Sequence, residues 1–284
     1  MAVIVKGENG IVTDTYLELI GKVLSELGEN VSYVDSYRKV FAFPKDELVV
    51  DALSRETFRL ILHGYRHILF WFQGLDPEEN YLVMRSRLKL AVLNLMEWFD
   101  VRHIDFTLYV SEAMKRYLTQ KYRIAPDESR CYCMPCMNTE LHPDAFFAEN
   151  KYESLNFAYV GSLSFWQCFE ETAELYAKIE KAFDQRTRFL VFTGDQDDAE
   201  KILKRKGIRN YTVGFVPNEQ LPRALAEVKY GFIVRKDNIV NRVATPTKIS
   251  TYLSCGVIPI YSECLEDFAA AAKTLTYAIP AGKT

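Results

Sequence analysis

The stretch "TPTK" (245–248) combines residue types that could bind a phosphate. We expect it to begin a helix over residues 246–255, with Thr245 as the N-cap and a proline at the first helical position. A lysine in the first turn is disfavoured by about 0.3–1 kcal/mol, because the helix N-terminus already carries partial positive charge. A bound anion reverses that sign. Free backbone N–H groups, the Thr247 hydroxyl and the Lys248 ammonium would then converge on one phosphate.

Two arginines precede this stretch and bear on the same interpretation. Arg235 ends an apolar, strand-like segment, and Arg242 lies in the loop just before the helix. For Lys248 alone, a side chain that extends into water is the favoured interpretation. Its convergence with Arg242 and Thr247 at the end of a strand favours a phosphate site instead, with Arg242 and Lys248 as the expected catalytic cations.

The composition is that of a globular protein with room for two domains. The chain has 284 residues, 49% of them hydrophobic, and a net charge of −3 that argues against a nucleic-acid partner. Residues 1–150 carry 17 basic and 22 acidic residues, whereas residues 151–284 carry 18 and 16, so an anionic ligand fits the second half better. The longest membrane-like segment, 67–72, is far too short for a membrane span and no signal peptide is recognisable, so we expect a cytoplasmic protein.

Strand-like and helix-like segments alternate along most of the chain. The expected strands are 2–6, 31–34, 68–72, 106–110, 131–134, 157–161, 188–194, 211–217, 230–234 and 257–261. The expected helices include one that begins near Thr13 or Asp14 and ends at Gly28, one from Pro77 to about Trp98, one capped by Ser111, one over 169–183, one ending at Gly207 and one capped by Asn218. Such alternation predicts parallel sheets covered by helices on both faces.

The polar stretch 142–156 divides this pattern into two runs. The sequence therefore predicts an α/β protein of two doubly wound, Rossmann-like domains, over residues 1–148 and 149–284. Ligands of such sheets bind at the carboxyl ends of the strands, so we expect the domains to face each other across a functional cleft.

The ordered segments "YVGSL", "FLVFTGD", "YTVGFVPNEQLPRALAEVKYGFIV" and "PTKISTYLSCGVIPI" resemble the nucleotide-sugar domain of retaining GT-B glycosyltransferases, the group 1 class. The resemblance covers roughly residues 157–261. In the first half, "WFQGLDPEEN", "YVSEAMKRYLTQKY" and "CYCMPCMN" are similar to segments of the acceptor domain, in particular in enzymes that build bacterial surface polysaccharides. The family normally continues with C-terminal helices that cross back to the first domain, and these are expected to be missing here.

The resemblance also implies where the site residues lie. Those expected to bind the donor are Gly161, Ser162, Thr193, Gly194, Phe215, Val216, Leu221, Arg235 and Thr247. Those expected to face the cleft from the acceptor side are Gln73, Gly74, Glu78 and Glu79. Helix capping explains the two glutamates equally well, because carboxylates are favoured in a first turn.

Two departures from the family pattern concern the phosphates and the ribose. Relatives supply an arginine and a lysine from the glycine loop, where this chain has Ser162 and Gln167. They often carry a carboxylate where Thr251 stands, paired with another at the position of Val243. The diphosphate charge must then be met from Arg235, Arg242 and Lys248.

The resemblance implies a hexosyltransferase-type enzyme that moves a sugar from a nucleotide-sugar donor to a glycan or lipid-linked acceptor, with retention, in polysaccharide or glycoconjugate biosynthesis. Cations on the leaving diphosphate would stabilise its growing charge. No cofactor or metal is expected. "DQDD" (195–198) fits a solvated helix start better than a metal motif. The alternative is a catalytically degenerate sugar-nucleotide-binding protein or non-catalytic subunit.

Two further segments each allow two interpretations. Cys131, Cys133 and Cys136 could form a metal or redox site, but without a second ligand pair a buried strand with reduced thiols is favoured. The segment "KRYLTQKYR" (115–123) could bring the protein to the inner face of an anionic membrane that carries a lipid-linked acceptor, although a solvated helix face is favoured.

Overall fold

The computed structural model describes residues 1–6, 11–137, 139–184 and 186–282. They form two compact units, Met1–Pro135 and Cys136–Thr284. The "GENG" segment expected as a loop lies at 7–10, outside the described residues. No described helix is both long and apolar enough to cross a membrane.

In unit 1, the described residues form one sheet of six parallel strands in the order β2-β1-β3-β4-β5-β6. The strands are β1 (Ala2–Val5), β2 (Val31–Val34), β3 (Leu48–Asp51), β4 (Ile68–Phe72), β5 (Phe106–Tyr109) and β6 (Cys131–Cys133). The helices are α1 (Ile11–Glu26), α2 (Tyr37–Val40), α3 (Ser54–Leu62), α4 (Asp76–Met84), α5 (Arg87–His103) and α6 (Glu112–Tyr122). Every residue of β1 and β4 is buried, which explains their uninterrupted apolar sequences.

In unit 2, the described residues again form six parallel strands, in the order β12-β11-β10-β7-β8-β9. The strands are β7 (Asn156–Val160), β8 (Arg188–Phe192), β9 (Tyr211–Gly214), β10 (Tyr230–Ile233), β11 (Ile258–Tyr261) and β12 (Ile279–Pro280). The helices are α7 (Pro143–Phe146), α8 (Phe169–Ala182), α9 (Gln196–Arg205), α10 (Leu221–Leu225), α11 (Ile239–Arg242), α12 (Lys248–Ser254) and α13 (Glu266–Ala272). The chain builds outward from β7 to β9, then restarts on the other side of β7 with β10.

An aromatic cluster holds helix α8 on the sheet of unit 2. The Phe189 ring on β8 lies 4.5 Å from the Tyr176 ring on α8 and 5.6 Å from the Phe232 ring on β10, measured between centroids. Phe157 on β7 stacks on Phe232 at 5.6 Å. All four residues are at most 4% exposed. This packing fixes the strands whose carboxyl ends carry the candidate site.

The helix expected from Pro77 to Trp98 is two helices, α4 and α5. Arg85 ends α4 in the left-handed conformation, with φ 54°. Ser86 caps α5 by accepting a hydrogen bond from the Lys89 backbone N–H at 3.3 Å. A serine inside a helical pattern marks this restart. Strand β3 and helix α3 were not predicted, because the short apolar segment of β3 is followed almost directly by a helix.

The expected helix starts were partly wrong. Helix α1 begins at Ile11, so Thr13 and Asp14 lie inside it rather than capping it. Ser111 does cap α6, accepting from the Met114 N–H at 2.9 Å. Asn218 begins a 3₁₀ turn, and the α-helix starts only at Leu221.

The division between the units falls at Pro135/Cys136, before the expected boundary of 148/149. Residues between the two positions pack on unit 2. The His142 N–H donates to the Ser254 carbonyl at 2.9 Å, and Ala145 is 4% exposed within the core of unit 2. The polar composition of this segment concealed its docking, which also includes a hydrogen bond of 3.1 Å between the Thr139 and Ser250 hydroxyls.

Candidate functional site

The candidate site lies at the carboxyl ends of β7 and β10, where the strand order of unit 2 reverses. Gly161 directly follows β7, and Arg235 lies two residues beyond β10. These two strands are neighbours in the sheet. Crevices outside such reversal points are where open parallel sheets bind ligands.

Lys248 is buried at this place. Its residue is 5% exposed, and its Nζ lies 4.1 Å from the centroid of the Tyr159 ring. The Nζ has no hydrogen-bond partner. A Cβ added to Gly161 would lie 3.4 Å from that Nζ, so the glycine leaves room beside the ammonium.

A tyrosine positions the helix that carries Lys248. The Tyr252 hydroxyl accepts from the Val160 N–H at 3.1 Å and donates to the Ala158 carbonyl at 3.3 Å, both on β7. Its ring lies against β10, where a Cβ on Gly231 would come within 2.6 Å of it. Helix α12 is therefore fixed over the reversal point.

Arg235 is the second buried cation of the site. It is 3% exposed, and its Nη2 donates to the Gln167 Oε1 at 2.5 Å. The Arg235 Nε and Nη1 have no hydrogen-bond partner. Gln167, a residue of the glycine loop, thus accepts from an arginine that follows β10.

Neither buried cation has a counter-ion among the described residues. Burial, and next the nearby Arg235 guanidinium, hold the pKa of Lys248 well below the usual lysine value. Burial likewise lowers the pKa of Arg235. Buried charges in proteins are normally paired, because the loss of hydration is costly. Two adjacent unpaired cations therefore form a preorganised site for an anion.

The glycine loop that follows β7 is held in place by hydrogen bonds. Gly161 has φ 131°, a conformation that side chains disfavour, and its N–H donates to the Phe192 carbonyl at 3.0 Å. The Leu163 N–H donates to the Asp195 Oδ2 at 2.8 Å. Ser162 is exposed, and its carbonyl accepts from the Tyr159 hydroxyl at 2.6 Å.

Further residues that were expected to bind the donor lie at or beyond the ends of β8 and β9. Thr193 is buried, and its N–H donates to the Gly214 carbonyl at 2.9 Å. The space around a Cβ at Gly194 is open. Phe215 is 65% exposed, an unusual position for phenylalanine, and could stack on a base. Val216 is half-buried, whereas Leu221 is 7% exposed and belongs to the packed interior.

Arg242 and Thr247 differ from the expected arrangement. Arg242 is exposed and forms a bidentate pair with Asp237, with Nε–Oδ1 at 2.6 Å and Nη2–Oδ2 at 3.1 Å. It lines a cavity of about 560 Å³ together with Arg235. Thr247 is exposed and is the N-cap position, without a side-chain cap, of a helix that begins at Lys248 rather than at residue 246.

The helix dipole is therefore not the main factor that destabilises the charged form of Lys248. The larger factor is the burial of its ammonium without a hydrogen-bond partner. The water-exposed interpretation of Lys248 was wrong, because the residue is 5% exposed and its ammonium lies over the ring of Tyr159 on β7. Tyr159 and Gln167 were not among the predicted site residues. Their only sequence signals were an aromatic in a buried strand and a polar residue in the glycine loop.

In unit 1, Gln73 and Gly74 follow β4 directly. The Gln73 Oε1 accepts from the Thr13 hydroxyl at 2.8 Å. A Cβ on Gly74 would lie 2.3 Å from the Glu79 Oε1, and that oxygen accepts from the Leu75 N–H at 3.0 Å. Glu79 therefore closes the N-terminal turn of its own helix, and burial raises the pKa of its carboxyl group.

Glu78 belongs to a network between α4, α5 and α6. Its Oε1 accepts from the Tyr117 hydroxyl and lies 2.7 Å from the Lys121 Nζ. Lys121 also pairs with Glu97 at 2.9 Å, and Lys115 pairs with Glu128 at 2.6 Å. The two lysines of 115–123 are thus paired and partly buried. Arg116, Gln120 and Arg123 of the same segment are exposed, as predicted for a solvated helix face, and contact with a membrane stays a prediction.

The described residues contain no cluster of three or more histidine, cysteine or acidic side chains that could hold a metal. Asp197 and Asp198 are exposed in the first turn of α9, and Asp198 pairs with Lys201 at 2.8 Å. This matches the predicted solvated helix start. Cys131 and Cys133 are half-buried on either side of the exposed Tyr132, so the predicted strand forms but is not buried, and the reduced state of the thiols stays a prediction.

Comparison with solved structures identifies the architecture. The α,α-trehalose-phosphate synthase (UDP-forming) of Burkholderia vietnamiensis superposes with a TM-score of 0.58 at 16% identity, over 86% of this chain and 63% of that one. The sucrose-phosphate synthase of Thermosynechococcus elongatus gives 0.67 at 12%, over 92% and 81%. The pneumococcal O-GlcNAc transferase GtfA, in complex with UDP and GlcNAc, gives 0.56 at 8%, over 80% and 44%.

These neighbours are glycosyltransferases of the GT-B fold. The two parallel α/β units of this chain are those of the GT-B fold. The predicted fold class is confirmed in this respect, while the facing of the domains across a cleft stays a prediction. The chain spans 63% of the trehalose-phosphate synthase and 44% of GtfA. No known family profile and no curated protein matches the sequence.

The buried cations lie in unit 2, the part of the chain that was expected to be the nucleotide-sugar domain. The structure brings together three of the predicted site residues, Gly161, Arg235 and Lys248, at the strand-order reversal. Thr193, Gly194 and Phe215 follow the neighbouring strands of the same edge. Arg242, by contrast, is already paired with a carboxylate, that of Asp237.

Proposed function

We propose that this protein is a hexosyltransferase-type glycosyltransferase that takes a sugar from a nucleotide-sugar donor. The observation that carries the proposal is the unpaired, buried Arg235–Lys248 pair at the strand-order reversal of unit 2. A diphosphate is the part of a sugar nucleotide that would neutralise both cations. The neighbours support the reaction class, since one is named as UDP-forming and another was solved with UDP and GlcNAc.

The two cations would act on the leaving group. Transfer breaks the bond between the anomeric carbon and a phosphate oxygen, and negative charge grows on the departing diphosphate. Arg235 and Lys248, desolvated and held in place before substrate arrives, would stabilise that charge. Arg242 could join them if the substrate draws it away from Asp237, which would retain its predicted catalytic role.

We further propose transfer with retention of the anomeric configuration. The trehalose-phosphate synthase neighbour is named for an α,α-linked product, the outcome of retention when the donor is an α-linked UDP-sugar. The leaving phosphate would accept the acceptor's proton, so the chain needs neither a strong nucleophile nor a metal. Phe215 would stack on the nucleobase, and Thr247 would lie near the phosphates.

The acceptor is proposed to be a glycan or a lipid-linked saccharide in polysaccharide or glycoconjugate biosynthesis. Gln73, Gly74 and Glu79 follow β4 of unit 1 and are the proposed acceptor-side residues. Glu78 contributes there through its buried Oε2, which has no hydrogen-bond partner. Its other oxygen is held by Lys121 and Tyr117.

Calorimetric titration with UDP, GDP and ADP tests the donor site. At least one nucleoside diphosphate should bind, and Lys248→Met should weaken it tenfold or more, the effect of losing one charge-assisted contact. Lys178→Met is the matched control, because Lys178 is 72% exposed on α8. Equal binding by Lys248→Met and the parent would refute the site.

The loop residues Ser162 and Gln167, which replace the cations of relatives, favour one alternative function. A degenerate protein would bind a sugar nucleotide without transferring the sugar. Release of nucleoside diphosphate in the presence of saccharide acceptors distinguishes the two. Turnover that Lys248→Met abolishes supports the enzyme, whereas tight binding with no turnover across an acceptor panel supports the degenerate protein.

A further inference from the structure

Helix α5 of unit 1 exposes a row of apolar side chains. Leu88, Val92 and Leu95 follow at intervals of four and three residues, which places them on one side of the helix. Their exposed fractions are 78%, 51% and 65%. Trp98, three residues further, is 42% exposed. A helix that packs on neighbouring helices normally buries such a row, so this orientation indicates a surface that something else covers.

The acidic residues of the same stretch point into the protein. Between residues 81 and 103 the acids are Glu97 and Asp100, and each is 1% exposed. Glu97 pairs with Lys121 at 2.9 Å, and Asp100 accepts from the Ser54 hydroxyl at 2.9 Å. This stretch therefore presents no negative charge to its surroundings.

The exposed charges of the stretch are basic. They are carried by Arg85, Arg87, Lys89 and Arg102. The Arg102 Cζ lies 4.3 Å from the Trp98 ring centroid, and the Lys89 Nζ lies 3.0 Å from the Met84 Sδ. Cations thus border the apolar side chains at both ends of the row.

We propose that this surface, the α4–α5 face, docks on an anionic lipid bilayer. It consists of Val83, Met84, Leu88, Val92, Leu95 and Trp98 with the four cations Arg85, Arg87, Lys89 and Arg102. Apolar side chains, a tryptophan and cations without anions are the composition of a helix that lies in the interface of a membrane. No described helix could span that membrane.

Charge complementarity selects the lipid surface over a second copy of the chain. In a symmetric dimer through this face, the four cations of one copy would approach the four of the other, and the same stretch offers no acid to pair with them. An anionic leaflet offers opposite charge for the cations and hydrocarbon for the leucines. The proposal concerns unit 1 alone and stands whether or not unit 2 binds a sugar nucleotide.

Co-sedimentation with vesicles tests the proposal. The protein should pellet with vesicles that mix phosphatidylglycerol into phosphatidylcholine, less with phosphatidylcholine alone, and less as salt is added. Leu88→Ser/Leu95→Ser should lower the partition coefficient at least tenfold. Leu27→Ser/Leu62→Ser is the matched control, because those leucines are 76% and 63% exposed and lie outside the α4–α5 face.

The cations are tested in the same assay. Arg87→Gln/Lys89→Gln should weaken binding by about fivefold per cation, while the exposed Lys22→Gln should leave it unchanged. Trp98 adds a direct signal: tryptophan emission should shift to shorter wavelength on vesicle binding, and Trp98→Phe should remove the shift.

Three results would overturn the proposal. The first is equal pelleting of the leucine variant and its control. The second is equal binding to vesicles with and without phosphatidylglycerol. The third is a dimer in solution that Leu88→Ser/Leu95→Ser dissociates, together with no vesicle binding, which would assign the α4–α5 face to a second copy of the chain.

Discussion

Lys248 lies with its ammonium 4.1 Å from the centre of the Tyr159 ring and without a hydrogen-bond partner. The aromatic face gives a buried cation part of the stabilisation that water would have given. It does not neutralise the charge. The free protein therefore holds a buried positive charge that a bound anion can neutralise.

Lys248→Met should make the free protein more stable and less responsive to ligand. Methionine keeps the length of the side chain but removes a buried charge that has no partner, so the melting temperature without ligand should rise. A nucleoside diphosphate at a hundredfold its Kd should stabilise the parent by about 2.7 kcal/mol and the variant far less. Thermal melts with and without ligand measure both effects. A variant that melts below the parent without ligand would show that the lysine is structural.

The alternation of strands and helices, and the positions of the glycine loop, Thr193 and Phe215 after their strands, could be predicted from the sequence. Each is a local signal: apolar runs, turn residues and spacing. The burial of Lys248 could not be predicted, because it depends on Tyr159, which approaches the lysine only when helix α12 packs on β7. The pairing of Arg242 with Asp237 joins residues five positions apart, but it depends on the conformation of the loop and of α11 and was not predicted either.

Binding of a nucleoside diphosphate should take up protons. The pKa of Lys248 in the free protein is held well below its usual 10.5, and a phosphate would raise it again. Between those two pKa values the free protein lacks a proton that the complex holds. Affinity should therefore fall as pH rises through this window, by up to about tenfold per pH unit. Titration calorimetry in buffers of different ionisation enthalpy counts the protons, and a proton count that is the same for the parent and Lys248→Met would contradict the assignment.

The same lowered pKa has a consequence for the free protein. Between the lowered pKa of Lys248 in the folded protein and the usual value of 10.5, the unfolded chain binds a proton that the folded chain does not. The free energy of unfolding should therefore rise with pH in this range and decrease as pH falls. Lys248→Met should abolish this contribution. Denaturant unfolding of the parent and the variant across the window measures the difference in slope.

Gln167→Glu should act as an internal substitute for the phosphate. The Gln167 Oε1 already accepts from the Arg235 Nη2 at 2.5 Å, so a carboxylate there would pair with a buried guanidinium. The free protein should become more stable. Nucleoside diphosphate binding should weaken by at least tenfold, because the introduced carboxylate would already neutralise the Arg235 guanidinium. Gln167→Leu is the informative control, since it removes the hydrogen bond without adding charge. An increase in affinity for Gln167→Glu would place the phosphates away from Arg235.

Gly161→Ala tests whether the phosphate binds in the space beside Lys248. Gly161 has φ 131°, so alanine is strained there, and its Cβ would lie 3.4 Å from the Lys248 Nζ, within the space that a phosphate would use. We expect a loss of stability on the order of 1–3 kcal/mol and a loss of nucleoside diphosphate binding.

Two control glycines separate these effects. Gly207→Ala adds a Cβ at φ 72° with nothing within 4 Å, so it should reduce stability while binding persists. Gly194→Ala meets nothing within 4 Å and has no left-handed φ, so it should leave stability unchanged and alter only nucleobase affinity. Thermal melts and calorimetric titration of all three variants provide the comparison. If Gly161→Ala binds as well as Gly207→Ala does, the space beside Lys248 is not where the phosphate sits.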